Sequence, residues 1–117
     1  MSDDAIRRDL LAERERTTAQ IADLGRQFDA IVGSAEFDSV DDEHDPDGAT
    51  IGFERAQTAA LLDGARHHLA EVDRALERLV AGTYGVCEQC GDVIAPERLA
   101  ARPATTTCIR CATRLNN

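Results

Sequence analysis

Apolar side chains recur at heptad spacing through two long parts of the chain. Across residues 3–32, two stripes interleave with the alternating spacing of three and four that is typical of a coiled-coil seam. The two stripes are Leu10, Thr17, Leu24 and Ile31, and Arg14, Ile21 and Phe28. The pattern predicts one long amphipathic helix over these residues, ending at Gly33 and Ser34.

A second long helix is predicted from Pro46 to Ala81. Its apolar stripes are Leu62, Leu69 and Leu76, and Ile51, Ala65, Val72 and Leu79. The flanking residues agree with these bounds, because Asp45 can cap the helix, Pro46 suits its first position and Gly82 can end it. Ser2 is the corresponding predicted N-cap of the first helix.

Two such helices joined by a short linker predict a mainly α fold, with a long antiparallel coiled-coil hairpin over residues 1–82. Polar side chains interrupt the seam at Arg14, Thr17, Arg55 and Thr58. We therefore expect a hairpin of moderate stability. We also expect Phe37 and Phe53 to close its far end by packing across the linker.

Charge is distributed unevenly along the chain. The 117 residues carry a formal net charge of −9, which argues against nucleic acid or anionic membranes as partners. Residues 1–82 hold 9 Arg against 19 Asp and Glu, a net charge of −10, whereas residues 83–117 hold 4 Arg against 3 acids. The stretch EFDSVDDEHDPD in the linker contains seven carboxylates and no arginine. This stretch is the strongest negative feature of the sequence.

The ends of the chain and its hydropathy bear on its cellular location. The first residues, MSDDAIRRDL, are polar and acidic rather than a signal peptide. No apolar run approaches the roughly 18 residues that a membrane span needs. We therefore expect a cytoplasmic protein without a membrane partner. In that compartment paired cysteines are more often metal ligands than disulfides.

All four cysteines lie in the C-terminal 35 residues, as two Cys-x-x-Cys pairs. Cys87 and Cys90 form the first pair, Cys108 and Cys111 the second, and 17 residues separate the pairs. This spacing is typical of a four-cysteine zinc site, and Gly91 permits the tight turn after the first pair. The sequence therefore predicts one structural zinc ion in a small module over residues 83–117. A disulfide or a redox-active pair is the alternative.

Four thiolates around one zinc ion leave no open coordination position, which argues against hydrolysis and predicts a protein that is not an enzyme. The site would carry a formal charge of −2, which nearby arginines can compensate. The candidates are Arg98, Arg102, Arg110 and Arg114. A module of this size needs its metal in order to fold.

The residues around the cysteines resemble the zinc-finger signature of the DksA/TraR family. The matching positions are Gly82-Thr83-Tyr84-Gly85-Val86-Cys87, Cys90-Gly91, Ile94, Arg98-Leu99, Ala101, Pro103, Cys108-Ile109 and Cys111. The resemblance implies a transcription regulator that binds RNA polymerase directly, not DNA. It further implies that the coiled coil enters the secondary channel and presents an acidic tip, here at about residues 34–49, near the catalytic magnesium ion.

The family's tip pattern, Asp-x-x-Asp-x-Ala, fits this chain in two registers. In one, Asp47 and Ala49 match and His44 takes the first acidic position. In the other, Asp42 and Asp45 supply both acids and Asp47 replaces the alanine. The alternative to a functional tip is a solvated loop whose acids cap the second helix.

Three functions follow from these observations. The first is a monomeric polymerase-binding regulator in which the hairpin reaches, the acidic tip acts and the zinc module fixes the base. The second is a zinc module that itself contacts nucleic acid or another protein. The third is a redox sensor in which oxidation of the thiols releases zinc.

Overall fold

The computed structural model describes the backbone of residues 2–38 and 46–115, and the side chains of residues 2–33 and 49–115. Four helices follow in order: α1 (Asp3–Asp38), α2 (Pro46–Ala81), α3 (Pro96–Ala101) and α4 (Ile109–Leu115). Within these ranges the only extended pairing is an isolated antiparallel bridge between Val86 and Val93. The fold is mainly α, as the sequence predicts.

Side chains and a glycine mark three of the long-helix ends. The Ser2 Oγ atom accepts a hydrogen bond from the Ala5 backbone N–H at 3.2 Å, which confirms the predicted N-cap of α1. Helix α2 begins at Pro46 and ends at Ala81, as predicted. At its end Gly82 has a φ of 78°, and the Thr83 N–H donates to the Arg78 carbonyl at 2.9 Å. Together with the bond from Gly82 to Leu79, this is a Schellman motif.

The predicted end of α1 at Gly33 and Ser34 is wrong, because the helix continues to Asp38. A helix-terminating glycine has a positive φ, and the described glycines with positive φ do not include Gly33. A glycine inside a helix costs only about 1 kcal/mol relative to alanine, which the flanking turns can offset. The predicted cap of α2, Asp45, lies outside the described residues.

The chain divides into two compact units. The first comprises Met1–Arg16 and His68–Asn117, and the second comprises Thr17–His67. Both long helices contribute residues to both units.

The first unit contains two buried clusters. In one, Leu10 of α1 packs with Val72 and Ala75 of α2 and with Ala104, which follows α3. In the other, three of the cysteines surround Ile94, and the half-buried Leu99 packs against them. One face of the helix pair and the cysteine module therefore belong to one folded body.

Antiparallel pairing of α1 with α2 continues in both units. In the first unit Arg14 Nε lies 2.7 Å from Asp73 Oδ1. In the second unit Leu24 packs with Leu62 and Ala65, with Ile21 beside them. The lower-numbered residues of α1 thus face the higher-numbered residues of α2, which confirms the antiparallel coiled-coil hairpin.

The polar seam positions behave in two ways. Thr17 and Thr58, in the second unit, are buried, at 2% and 8% exposure. Arg14 and Arg55 are exposed, so the charged residues leave the seam and only the small hydroxyl side chains stay inside it. The expectation that Phe53 closes the far end is wrong, since its side chain is 69% exposed. The side chain of Phe37 lies outside the described residues.

None of the described helices combines the length and the apolar character that crossing a membrane requires.

Candidate metal centre

The first cysteine pair sits in a tight backbone loop. The Cys87 N–H donates to the Asp92 carbonyl at 2.8 Å, and the Gly91 N–H donates back to the Cys87 carbonyl at 2.9 Å. Gly91 has a φ of 81°, a conformation that residues with a Cβ adopt only at a cost, which accounts for glycine at the predicted position. The loop directs both side chains of the pair to one side.

The second pair stands at the start of α4. Cys108 directly precedes the helix and Cys111 lies in its first turn, and the Ala112 N–H donates to the Cys108 carbonyl at 2.9 Å. Residues three apart in a helical turn lie on the same face, so both sulfurs point the same way. A loop and a helix start therefore supply two sulfurs each.

The four cysteine sulfurs converge on one point. Their Sγ atoms all lie within 4.8 Å of one another, and the Sγ atoms of Cys90 and Cys108 are 3.8 Å apart. Sulfurs bound to one tetrahedral zinc ion at about 2.3 Å stand about 3.8 Å from each other. A disulfide would need a sulfur–sulfur distance of about 2.05 Å, and all four cysteines are free thiols. The donor set and its spacing fit one zinc ion.

The backbone around the sulfurs favours thiolates, which are the form that binds zinc. Burial opposes ionisation of the Cys87 thiol, but backbone donors from Cys108, Cys90 and Gln89 outweigh it and lower its pKa to about 6. Backbone donation from Cys111 likewise lowers the pKa of Cys108.

Cys90 behaves in the opposite way. The backbone donor of Asp92 favours its thiolate, but desolvation of the sulfur and the other three cysteine side chains raise its pKa to about 12. Four adjacent thiols therefore cannot all ionise by themselves at neutral pH. A bound divalent cation supplies the missing charge and makes four thiolates stable together.

One of the four predicted arginines reaches a sulfur. Arg114 Nη2 donates to Cys111 Sγ at 3.5 Å, and the negative sulfur raises the pKa of the guanidinium. Arg110 instead pairs with Asp92 at 2.9 Å, and Arg98 Nε donates to the Thr107 carbonyl at 2.9 Å. Arg110 and Arg98 thus brace the loops that carry the cysteines.

Glu88, between the cysteines of the first pair, joins the module to α2. Its Oε1 accepts from the Thr106 hydroxyl at 3.0 Å, and its backbone N–H donates to the Thr106 carbonyl at 2.9 Å. Its Oε2 lies 2.8 Å from Arg74 Nε, a close ion pair rather than an aligned hydrogen bond. The carboxylate is 17% exposed, so screening by water is weak on this side of the pair.

Arg78, one turn beyond Arg74 on α2, makes a second connection. Its guanidinium donates to the Thr83 carbonyl at 3.1 Å and to the carbonyl of Val86, the residue before Cys87. The two arginines lie four residues apart and so share one face of α2. They attach the first cysteine loop to the end of the helix.

Reasoning from the sequence missed these attachments. Arg74 and Arg78 at a spacing of four, close before a metal module, are the signal that could have identified them. It also missed a pair in the first unit, in which His68 Nε2 lies 2.7 Å from Glu13 Oε1. That pair joins α1 to α2, and no local pattern marks it.

The predicted tip residues are only partly described. Asp42 and Asp45 lie outside the described residues, and Asp47 belongs to the first turn of α2 without a described side chain. Ala49 lies in the same helix with an exposed side chain. The acidic tip therefore stays a prediction from the sequence.

The fold and the site together define a helical protein with a closed four-cysteine structural zinc finger. Residues 82–117 match the family described as prokaryotic dksA/traR C4-type zinc finger. The C-terminal module of this chain is therefore a zinc finger of the dksA/traR C4 type.

Several curated proteins are similar in sequence. General stress protein 16O of Bacillus subtilis is 31% identical over 98 residues, which cover 84% of this chain and 54% of that protein. The RNA polymerase-binding transcription factor DksA of Caulobacter vibrioides is 35% identical over 68 residues, which cover 58% of this chain and 48% of DksA. An uncharacterized protein of Aquifex aeolicus is 52% identical over 59 residues, covering 47% of this chain and 41% of that protein. The chain thus spans about half the length of these relatives.

Two solved structures share the fold. Transcription factor DksA2 from Pseudomonas aeruginosa matches with a TM-score of 0.74 and 29% identity, covering 97% of this chain and 82% of DksA2. The DnaK suppressor protein from Agrobacterium tumefaciens matches with a TM-score of 0.54 and 29% identity, covering 97% of this chain and 94% of that one.

Proposed function

We propose that this chain is a non-enzymatic transcription regulator that binds RNA polymerase directly. The observation that carries the proposal is the likeness to DksA2, which extends over 97% of this chain and includes both the long helices and the cysteine module. Relatives named as RNA polymerase-binding factors support the same partner. The zinc ion has a structural role in this proposal, because four thiolates leave it no open position.

The acidic stretch of residues 36–47, called the acidic linker below, is the part of the protein that we propose acts on the polymerase. We propose that the hairpin inserts its tip, with Asp42, Asp45, Asp47 and Ala49, into the secondary channel of the polymerase. The supporting observation is charge, since seven carboxylates and no arginine fall within EFDSVDDEHDPD. Carboxylates brought close to a metal-bound catalytic centre alter its electrostatics and can compete for its cation.

Binding is tested first. The zinc-loaded protein is titrated into core RNA polymerase, and the complex is measured by fluorescence anisotropy of a dye attached near the C-terminus. We expect saturable binding that survives neutralisation of the tip in Asp45→Asn/Asp47→Asn. A protein that does not bind core polymerase at micromolar concentration contradicts the proposed function as a whole.

The tip is tested separately by transcription in vitro. We expect Asp47→Asn to bind polymerase like the wild type but to lose most of its effect on promoter output. Asp63→Asn is the matched control, because Asp63 is an exposed carboxylate on the same helix outside the tip. Equal effects of the wild type and Asp47→Asn on promoter output would sink the acidic-tip mechanism while leaving polymerase binding intact.

The contacts of three of the module's four arginines argue against direct recognition of DNA. Arg98, Arg110 and Arg114 are engaged with the Thr107 carbonyl, Asp92 and Cys111, respectively. Phosphate contacts require arginines that point outward along a basic surface. We therefore expect no sequence-specific DNA binding by this protein.

A thiol–zinc redox sensor is the second candidate function, and the exposure of Cys90 favours it. Oxidants reach the most accessible ligand residue of a zinc site first, and loss of one ligand weakens the hold on zinc. The test is zinc release at low peroxide, followed with a chromogenic chelator, together with recovery on reduction. Release only at denaturing oxidant concentrations contradicts a sensing role.

A further inference from the structure

The first compact unit contains an apolar groove that is separate from the four cysteine sulfurs. It lies between the first turns of α1, the end of α2 and α3, and encloses about 590 Å³. Leu79 and Ile94 form a buried floor, at 6% and 1% exposure. The half-buried side chains of Ile6, Tyr84 and Leu99 form its walls. Its size and apolar interior are those of a binding cleft.

The rim of the groove is negatively charged. Asp3 and Asp9 line it from α1, three residues on either side of Ile6, and the described residues that line it include no arginine. Asp9 faces the groove closely enough that its charge, together with the larger effect of burial, raises the pKa of Tyr84. The groove thus combines an apolar interior with two carboxylates at its edge.

Helix capping explains only one of these acids. Asp3 stands in the first turn of α1, where a carboxylate is stabilised by the helix dipole. Asp9 is nearly two turns further along, where that effect has faded. Nearby Asp4 pairs with Arg7, whereas the ion pairs among the described residues include neither Asp3 nor Asp9. Both carboxylates on the rim are therefore available to a cation from outside.

The openness of the groove favours a macromolecular occupant over a small molecule. Val93 lines it and is still 78% exposed, so the apolar lining continues onto the outer surface. A small-molecule site normally buries 70–90% of its ligand, roughly, and a cleft open on this side would leave much of it in water. A side chain that arrives on a helix brings neighbouring residues that cover Val93 as well.

We propose that this groove docks a basic amphipathic segment of a partner protein. An aliphatic or aromatic side chain enters between Ile6 and Leu99, and flanking arginine or lysine residues pair with Asp3 and Asp9. The inference goes beyond the proposed function, because it concerns neither the acidic linker nor the zinc ligands. It adds a second contact surface to the protein. This surface attracts basic groups, whereas the arginines of the cysteine module attract acidic ones.

The test uses a defined probe and the full zinc-loaded chain. The probe is a fluorescein-labelled helical peptide of about 14 residues that carries leucine on one face and arginine beside it. Binding is measured by anisotropy, and its location by chemical-shift changes at Ile94, Leu99 and Val93. We expect saturable binding, shifts confined to the groove, and no binding when glutamate replaces each arginine of the peptide.

Matched variants of the protein separate the groove from general negative charge. Two variants should each weaken peptide binding by about fivefold or more. Asp3→Asn/Asp9→Asn removes both carboxylates that pair with the arginines of the peptide, and Val93→Ser removes an apolar contact at the edge of the groove. Asp4→Asn/Asp63→Asn makes the same charge change elsewhere, and Val80→Ser changes an equally exposed valine, at 79%, that does not line the groove. Both controls should bind like the wild type.

Several outcomes would overturn the proposal. Equal weakening by the Asp4/Asp63 control would show that the peptide only senses net charge. Shifts centred on the acidic linker would place the binding there. Arginine ethyl ester binding as tightly as the peptide would assign the groove to small cations. Concentration-dependent self-association that Val93→Ser abolishes, without peptide binding, would assign it to a second copy of this chain.

Discussion

Each cysteine side chain of the metal centre is placed by local backbone structure. Cys87 and Cys90 depend on the loop closed by Gly91, and Cys111 depends on the first turn of α4. This is why the convergence of the four sulfurs could be predicted from spacing, because Cys-x-x-Cys imposes its geometry within a few residues. The partners of Glu88 could not be predicted in this way. Arg74 reaches it from a different element, and the pair is defined only by tertiary packing.

The first prediction concerns the number of zinc ions bound. We expect one zinc ion per chain, measured by inductively coupled plasma mass spectrometry. Cys108→Ser should lose that ion, because three thiolates hold zinc less tightly than four. Ile109→Ser is the control, since Ile109 lies between two ligands and is 61% exposed. Retention of zinc by Cys108→Ser would contradict the four-cysteine assignment.

The second prediction concerns the attachment through Glu88. Glu88→Gln leaves Arg74 without its partner and should lower the free energy of unfolding of the zinc-loaded protein by about 1–2 kcal/mol. The estimate is below that for a fully buried pair because Arg74 is 62% exposed. Urea unfolding measures the change, with Glu77→Gln, an exposed acid on α2, as control. A loss equal to that of the control would mean that the pair contributes nothing.

The third prediction concerns pH. Hydrogen bonds from Arg16 and then from His68 lower the pKa of Glu13 below its ordinary 4.5. A lowered folded-state pKa contributes stability above the ordinary pKa, and that contribution is lost as pH falls through the folded-state value. Glu13→Gln should therefore cost about 0.5 kcal/mol at pH 7, and the cost should shrink as pH falls below about 4.5.

Urea unfolding of the wild type and Glu13→Gln across this pH range measures the difference between them. Glu15→Gln, which removes an exposed carboxylate from the same helix, is the control for the loss of one acid. A cost that stays constant from pH 7 to pH 3.5 would exclude ionisation of Glu13 as its cause.

Three helix ends could be predicted from the sequence, and one could not. Ser2, Pro46 and Gly82 each mark a helix end by their own chemistry, and all three ends could be predicted. Gly33 resembles a stop in the sequence, yet the helix passes through it. Whether a glycine takes a positive φ depends on what the following residues pack against, and one sequence does not contain that information.

The fourth prediction tests the end of α2. Gly82→Ala should destabilise the protein by about 1–2 kcal/mol, because a residue with a Cβ is strained at a φ of 78°. Gly64→Ala should have the opposite sign, since it lies inside the same helix and a Cβ there meets no atom within 4 Å. Alanine stabilises such a position by about 0.5–1 kcal/mol. Thermal unfolding of both variants shows whether each substitution stabilises or destabilises the protein. Destabilisation by both would contradict the positive φ of Gly82 as the cause of its effect.

Zinc links distant parts of the chain at the scale of the molecule. The first unit joins the start of α1, the end of α2 and the cysteine module, and Leu10 packs against Val72 and Ala104. A structural zinc ion in a small module contributes about 10 kcal/mol or more to its folding. Removing the ion should therefore loosen residues that are far from the cysteines in sequence.

The fifth prediction follows from this linkage. Chelation of zinc should raise amide hydrogen exchange across residues 83–115 and also around Leu10 and Val72. The rise should be smaller around Leu24 and Leu62, which pack within the second unit. Hydrogen exchange with mass spectrometry measures this, and added zinc should reverse it. Unchanged protection at Leu10 after complete chelation would contradict the linkage.

The contact between Leu10 and Ala104 also has a consequence for protein synthesis. A ribosome makes Leu10 before α2 and Ala104 after it, so the nascent chain holds an incomplete first unit until α2 and α3 have been made. Cys108 and Cys111 follow Ala104 and complete the zinc site. We therefore expect the supply of zinc once Cys111 has left the ribosome to determine whether a new molecule closes this unit or stays open to proteases.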